Sequence, residues 1–384
     1  VKVKVRPEDF VVREQLRLRL KRAGAHSVYR LEKRNWNTLD VIDHLARRHG
    51  LKRLSRAGLK DRYALTVQYL SLPGNGPKLV REPNYSLRFV GKSDQPVTSE
   101  LLSGNGFDIV CRSLTEREVE RLASNAAEVR RFGLPNYFDD QRFGSARHGQ
   151  GFICRRLVDG HLNGALKLYV ATPSPADPPA QRRQKAALEQ AWGDWPACAR
   201  VAPSEAKPAL SYLAAQPRDL AGAVKRLPRD LLELFVNAYQ SWLWNETVVA
   251  LLRDQAVPAT AAPYSQGELL FWRSLSPTMA AFLDRAAVPT VAADATYKSE
   301  RVQRAAVSVL AREGLDHSRL KLKVRIPGVY FKSFDRALCL RPEGLRLARP
   351  EPDEVYPGKL KLRLEFTLPP GAYATLVLKR LSLD

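Results

Sequence analysis

The residue types with the most chemistry in them fall in one stretch, Ala57-Gly58-Leu59-Lys60-Asp61-Arg62-Tyr63-Ala64-Leu65-Thr66-Val67-Gln68. It sets one carboxylate between two cations, just after a glycine and just before a β-branched run. Nearby cations favour the charged form of a carboxylate, so Asp61 suits nucleophilic or electrostatic work better than proton donation. Read for composition alone, the same residues make an exposed Lys-Asp-Arg turn at the start of a strand.

The surroundings of that carboxylate are basic. The chain has 384 residues, and 62 Lys or Arg against 40 Asp or Glu leave a net charge of +22. Such an excess points to a polyanionic partner. From Arg13 to Arg62 there are fifteen basic and five acidic residues, interleaved with Tyr29, Trp36 and Tyr63. Cations that meet phosphates, beside rings on which splayed bases stack, are what single-stranded or looped RNA requires. The other reading of the cluster is a solvated basic face.

Several function classes drop out. No apolar run approaches the ~20 residues of a membrane span. Val1 to Val5 alternates like a strand and holds no apolar core of a signal peptide, so a cytoplasmic location is expected. Cys111, Cys154, Cys198 and Cys339 lie far apart with no C-x-x-C pair, which predicts reduced thiols and neither a disulfide framework nor a zinc site. His44 and His49 are spaced i, i+5 and share no helical face. Neither a metal nor a cofactor is expected.

The elements that must position Asp61 read as α+β. Strands are predicted at Ser27–Lys33, Leu65–Leu72, Ser86–Val90 and Phe107–Leu114. Between them, Thr38 is expected to cap a helix with a stripe of Leu39, Ile42, Leu45 and Ala46 that stops near Gly50. Thr115-x-x-Glu118 is a capping box for a second helix, which Gly133 ends. After about residue 160 the composition changes. Ala171–Pro217 holds eight prolines, predicting short helices and irregular connections. Long buried helices follow at Leu231–Leu252 and Glu300–Arg312, then strands at Gly328–Ser333 and Lys359–Leu368, the last with unbroken alternation. A chain that begins and ends in strands can close one sheet around an inserted domain.

Five motifs in order then carry a family resemblance from residue 7 to residue 375. The Asp61 segment resembles A-G-x-K-D-R-x-A-x-T-x-Q, the active-site motif of the TruD family of tRNA pseudouridine synthases. Pro7-Glu8-Asp9-Phe10-Val11-Val12-Arg13-Glu14 is similar to the family's P-E-D-F-x-V-x-E, and Asn136-Tyr137-Phe138-Asp139-Asp140-Gln141-Arg142-Phe143-Gly144 to its N-Y-F-G-x-Q-R-F-G. Ala238-Tyr239-Gln240-Ser241 with Asn245 resembles its A-Y-Q-S-x-x-x-N, and Phe366-x-Leu368-Pro369-x-Gly371-x-Tyr373-Ala374-Thr375 its C-terminal F-x-L-P-x-G-x-[YF]-A-T. One position departs: Asp139 stands where the family usually has Gly.

The resemblance implies an α/β (α+β) fold. A pseudouridine synthase catalytic domain with a mixed, largely antiparallel sheet (residues 1–160 and 340–384) would surround an inserted α/β TRUD domain (161–339) that walls an RNA-binding cleft. It implies isomerisation of uridine 13 in the D arm of tRNA without a cofactor, by glycosidic cleavage, rotation of the base and C5–C1′ rejoining. Asp61 would be the catalytic aspartate, acting at C1′, at C6 or on the C2′ proton. Phe10, Asn136, Phe366 and Phe138 would bind the flipped-out uridine. Lys60 or Arg62 would pair with Asp61, Gln141 and Arg142 would lie close by, and Tyr239 and Gln240 would brace from behind. No obligatory protein partner is implied. A non-catalytic RNA-binding protein or tRNA chaperone on the same fold is the alternative; a membrane-surface binder is disfavoured because no basic amphipathic helix is present.

Overall fold

The computed structural model describes residues 1–384 apart from Arg147 and Ala176. The chain divides into two compact units, Val1–Leu134 with Arg341–Asp384, and Pro135–Leu340. The sequence puts the first boundary at residue 160, where Ala and Pro begin to dominate. The chain leaves the first unit earlier, just after Gly133, whose positive φ of 66° ends the capped helix. The boundary therefore follows a helix stop rather than the change in composition.

The first unit is built on one ten-stranded sheet. Its strands are β1 (Phe10–Leu16), β2 (His26–Arg34), β3 (Ser55–Arg56), β4 (Leu65–Pro73), β5 (Leu79–Glu82), β6 (Tyr85–Ser93), β7 (Leu102–Leu114), β8 (Glu343–Leu347), β9 (Glu351–Pro352) and β10 (Leu360–Leu368). They lie in the order β8-β10-β7-β1-β4-β2-β6-β5, with β3 on β4 and β9 on β10. The β1–β4 pair is parallel, with Val11 opposite Leu65, and the other ladders are antiparallel. The sheet is mixed and largely antiparallel, as expected.

Helix α1 (Thr38–His49) covers one end of the sheet by burying Val41 and Leu45 against Tyr29, Leu31, Leu70 and Leu87. Two details of its reading change. Asn37 occupies the cap position, and Leu39 is 49% exposed instead of facing the core. Thr38 lies inside the first turn, and its hydroxyl is drawn elsewhere. Helix α2 (Glu116–Phe132) has the capping box the sequence predicts: Thr115 Oγ1 accepts the Glu118 N–H, and Glu118 Oε2 accepts the Thr115 N–H.

Val1–Val5 does not form a strand. A single bridge joins Lys2 to Arg112, after which Lys4 turns into the left-handed region at φ 59° and breaks the alternation.

The second unit is mostly helical. A 26-residue helix, Arg229–Asp254, runs through it with Phe235, Tyr239, Leu243, Trp244 and Val248 buried. The proline-rich stretch folds into short helices Pro179–Gln190, Trp195–Val201 and Lys207–Ala215, each with Pro in its first turn, where the missing N–H costs nothing. Helix Glu300–Arg312 forms as read. The strand expected at Gly328–Ser333 does not form. Gly328 sits at φ 77°, and the Lys332 carbonyl is taken by the Gln240 amide and the Thr290 hydroxyl, so pairing starts only at Asp335–Ala337, against Ala287–Pro289. Among the described residues no helix is long and apolar enough to cross a membrane.

Candidate active site

Asp61 lies in the loop that leads into β4, and four side chains hold that loop. Lys33, wholly buried near the end of β2, donates from Nζ to the carbonyls of Trp36 (2.7 Å), Lys60 (3.4 Å) and Asp61 (2.8 Å). Thr38 Oγ1 accepts the Lys60 N–H at 3.1 Å and donates to Gln68 Oε1 at 2.8 Å. Gln68 Nε2 reaches the Gly58 carbonyl at 3.4 Å. Lys60 Nζ donates to Glu14 Oε1 at 2.6 Å, while Glu14 Oε2 accepts the Tyr69 N–H at 2.9 Å. These bonds give the Lys, Thr and Gln positions around the carboxylate a physical reason: they fix its backbone.

The expectation for Lys60 and Arg62 is therefore corrected. Glu14 has a fully covered side chain, and a buried carboxylate without a cation is costly, so Lys60 turns inward to it. Arg62 is exposed, with its guanidinium 5.5 Å from the centroid of Tyr63. A cation that does reach Asp61 is Lys4, whose Nζ donates to Oδ2 at 2.9 Å. Lys4 Nζ also sits 4.1 Å from the ring centroid of Phe10, within cation–π range.

The left-handed backbone of Lys4 is uncommon for a side chain of this size, and it is held from both sides. Lys2 exchanges backbone bonds with Arg112. Beyond Lys4, Asp9 Oδ2 accepts the Arg6 N–H, and both Asp9 oxygens take Arg112 Nε at 2.9 Å. Arg112 is itself buried and also bonds Asp353 at 2.9 Å. Strain kept in place by its surroundings is typical of functional positions.

Topology explains why Lys4 and Asp61 meet. They precede β1 and β4, which are parallel neighbours in the middle of the sheet, so both entry loops open at the same end of the strands. Antiparallel strands of that length would have put them roughly 20 Å apart.

Phe10 and Phe366 are both buried and belong to the same sheet. Between them is Phe107 on β7, 6.3 Å edge-on from Phe10 and 5.4 Å stacked on Phe366. Phe107 escapes the sequence reading because it lies in no motif; its place opposite Phe366 in the β7–β10 register is what reveals it.

Asn136 and Phe138 belong to the second unit. Asn136 Nδ2 donates to the Ala337 carbonyl at 3.1 Å, and Arg336 Nη2 donates to Asn136 Oδ1 at 2.8 Å. One N–H and one lone pair of the amide remain for another partner. Arg336 also bonds the carbonyls of Asn136 (2.7 Å) and Tyr137 (3.1 Å), and its guanidinium lies 4.2 Å from the Phe138 ring centroid. Asn245 clamps Phe138 by accepting its N–H at 2.9 Å and donating to its carbonyl at 2.8 Å. Trp244 meets the ring edge-on at 5.5 Å.

The remaining motif residues support these. Arg142 donates to Ser241 Oγ at 3.0 Å and lies 5.6 Å from the Phe138 centroid. Exposed Gln141 and half-buried Arg142 line a cavity of about 470 Å³ within the second unit, with His148, Tyr169, Lys185 and Phe235. Gln240 Nε2 bonds the carbonyls of Val291 and Lys332, and Tyr239 donates to Glu313, so both brace the helix from behind. Asp139 is buried and its backbone φ is negative; the position does not demand a glycine conformation.

Sequence reasoning missed Lys4, Glu14, Lys33, Phe107 and Arg336. Glu14 had a signal, as the last residue of its motif; the others are joined to the site only by tertiary pairing. Among the described residues no group of three His, Cys, Asp or Glu is placed to hold a metal ion. Cys111, Cys154 and Cys198 are buried, and burial pushes the Cys111 thiol up to about 12.

The chain is similar to known proteins over nearly its whole length. A family model described as tRNA pseudouridine synthase D (TruD) matches residues 1–381. The chain is 30% identical over 391 aligned positions to a tRNA pseudouridine synthase D of Aquifex aeolicus, covering 99% of this chain and 98% of that one. It is likewise 30% identical to one from Leptospira interrogans, covering 99% of this chain and 96% of the relative. A solved TruD crystal structure from Methanosarcina mazei superposes with a TM-score of 0.75 at 26% identity, covering 99% of this chain and 93% of that one.

Proposed function

The chain belongs to the TruD family of tRNA pseudouridine synthases, and from that membership we propose that it isomerises uridine 13 in the D arm of tRNA to pseudouridine, with Asp61 acting on the target nucleoside. The observation that carries the reading is the Asp61 carboxylate itself. It is partly exposed, bonded to Lys4 and set on a loop whose backbone is tied down from below.

The reaction breaks the N1–C1′ bond, turns the uracil and joins C5 to C1′. The C5 proton is lost and N1 gains one, so no redox change occurs. A carboxylate serves by adding to C1′ or C6, or by taking the C2′ proton. All three need the same things of this chain: a carboxylate at fixed height, a cation beside it, and a uridine drawn out of its stack at a cost of a few kcal/mol. Phe10 and Phe366 supply apolar surface for the nucleoside, and a ring on a base contributes ~1–3 kcal/mol. Asn136, through its remaining N–H and lone pair, reads the uracil edge, and Phe138 packs on the base. These two assignments rest on the motif and on the geometry inside the second unit. A tRNA substrate favours a cytoplasmic enzyme.

The test is replacement of Asp61 by Asn and by Ala, with pseudouridine mapped in treated tRNA. Activity should vanish while tRNA binding stays within about threefold, since a carboxylate is not a phosphate contact. Retained activity would overturn the assignment. An RNA binder without catalysis predicts no pseudouridine even from the wild-type protein.

A further inference from the structure

We propose that Lys33 is a positioning residue for Asp61: its buried ammonium, by bonding the carbonyls of Lys60 and Asp61, fixes the height of the carboxylate, and the enzyme loses turnover when that ammonium loses its proton. The inference rests on Asp61 being the catalytic group.

The geometry is unusual. Lys33 is 0% exposed and bonds three backbone carbonyls, with no carboxylate within ion-pair distance among the described residues. A buried lysine is expensive, and one spent on main-chain oxygens holds backbone in place. Its two loop partners are Asp61 and the residue before it, so the tether acts within one peptide of the carboxylate. Neutral Lys33 would keep two donors for three acceptors, and the loop would loosen.

Lys33 has its own pH window. Burial lowers its pKa to about 8, with Asp61 raising it and Lys60 lowering it further. Those are the charged groups facing it from the loop. From β6 its register partner is Tyr85, raised to about 12 by burial and by Glu82, and so neutral across the window. From β4 the partner is Thr66, and α1 contributes Thr38. The sign for stability is opposite to that for activity. The folded value lies below the ordinary 10.5, so between these values the unfolded chain binds the proton and the folded one does not. Raising the pH through that window adds stability from this group. Unfolding driven by Lys33 cannot mimic the loss of turnover.

The experiment is steady-state kinetics, with single-turnover controls, on full-length protein with tRNA, from about pH 7 to pH 10, for the wild type, Lys33→Met and Lys33→Arg. Wild-type kcat should fall along an alkaline limb centred near pH 8, while the melting temperature is unchanged by Lys33 titration or rises. Lys33→Met should lose roughly 10- to 100-fold in kcat with KM held within about threefold, as displacement of a catalytic group does. Lys33→Arg, permanently charged, should restore part of the rate and lack the limb; titration of substrate bases would persist in it. A flat wild-type profile, or a limb retained in Lys33→Arg, overturns the proposal, and neither result needs the Met variant to fold. If Asp61→Ala is inactive while Lys33→Met turns over normally, only the tether is wrong. If Asp61→Ala stays active, the reading of Asp61 falls with it.

Discussion

Lys4 Nζ donates to Asp61 Oδ2 at 2.9 Å across fifty-seven residues of chain. The two adjacent cations in the sequence, Lys60 and Arg62, point elsewhere. The lysine that bonds the carboxylate also touches the face of Phe10. The Asp61 carboxylate and the Phe10 ring are joined by one side chain.

Lys4→Met removes a charged hydrogen bond to a carboxylate, worth ~1.5–3 kcal/mol. Single-turnover rates should fall roughly 10- to 150-fold, with tRNA affinity little changed and Lys4→Arg intermediate. A rate within a factor of about two of wild type would remove Lys4 from the site.

Arg336 bonds three oxygens of Asn136 and Tyr137. Arg336→Met leaves them short of a donor and should lower stability by about 2–5 kcal/mol. Arg336→Lys keeps the charge without the fork, so it should fold better yet raise KM for tRNA. Thermal melts and KM measured together separate the two effects.

Arg112 sits buried among Asp9, Asp353 and Glu354. Bonds from Arg112 and Lys361 lower the Glu354 carboxyl to about 2. For Asp353, burial raises the pKa, but bonds from the Ser113 and Val355 N–H groups and from Arg112 outweigh it and hold it low. Folded values below unfolded ones mean that this stabilisation is present above about pH 4 and is lost as pH falls towards 2. Arg112→Met should therefore cost ~3–5 kcal/mol at neutral pH and progressively less in acid. Denaturant melts from neutral pH down to about pH 3 would show the two curves converging; a constant gap would contradict it.

Asp139→Gly restores the family residue. The negative φ at Asp139 shows that a side chain is accommodated without strain. Turnover should stay within about twofold, and stability should change by no more than the ~0.5–1 kcal/mol of a glycine's added freedom. A large gain in rate would show that the carboxylate had been impeding the reaction.

Arg17, Arg19, Arg22, Lys52, Arg53, Arg56 and Arg62 are exposed and have no carboxylate partner among the described residues. Lys33 and Lys60, counted in the same basic cluster, are spent inside the fold. Reversing Lys52 and Arg53 to Glu should weaken tRNA binding and flatten its log-log salt slope by roughly 0.7–0.9 per lost phosphate contact. An unchanged slope in filter binding would place the RNA elsewhere.

Local signals made much of this legible. The alternation of Leu360 to Leu368 is β10 as read, the Thr115 capping box holds, and the Glu300–Arg312 helix matches its predicted ends. The motif around Asp61 identified the loop but not its electrostatics. Lys4 reaches Asp61 through a parallel strand pair, which has no local signature, and Thr38 looked like a cap because nothing in its neighbourhood announces Gln68. The Gly328–Ser333 error has the same root. A segment with strand composition had its carbonyl claimed by Gln240, ninety-two residues earlier.

The place of β10 bears on how the protein is made. β7 lies between β1 and β10, and β10 is synthesised only after the whole second unit. During translation the Lys4–Asp61 pair can assemble from the first strands, yet Phe366 is missing and β7 presents an open edge for most of the elongation time. Pairing over so long a stretch of chain is slow, and an open edge invites misassociation. Ribosome-bound or truncated chains thus hold Asp61, Phe10 and Phe107 without Phe366, whose stacking partner on β7 stays uncovered until β10 is made.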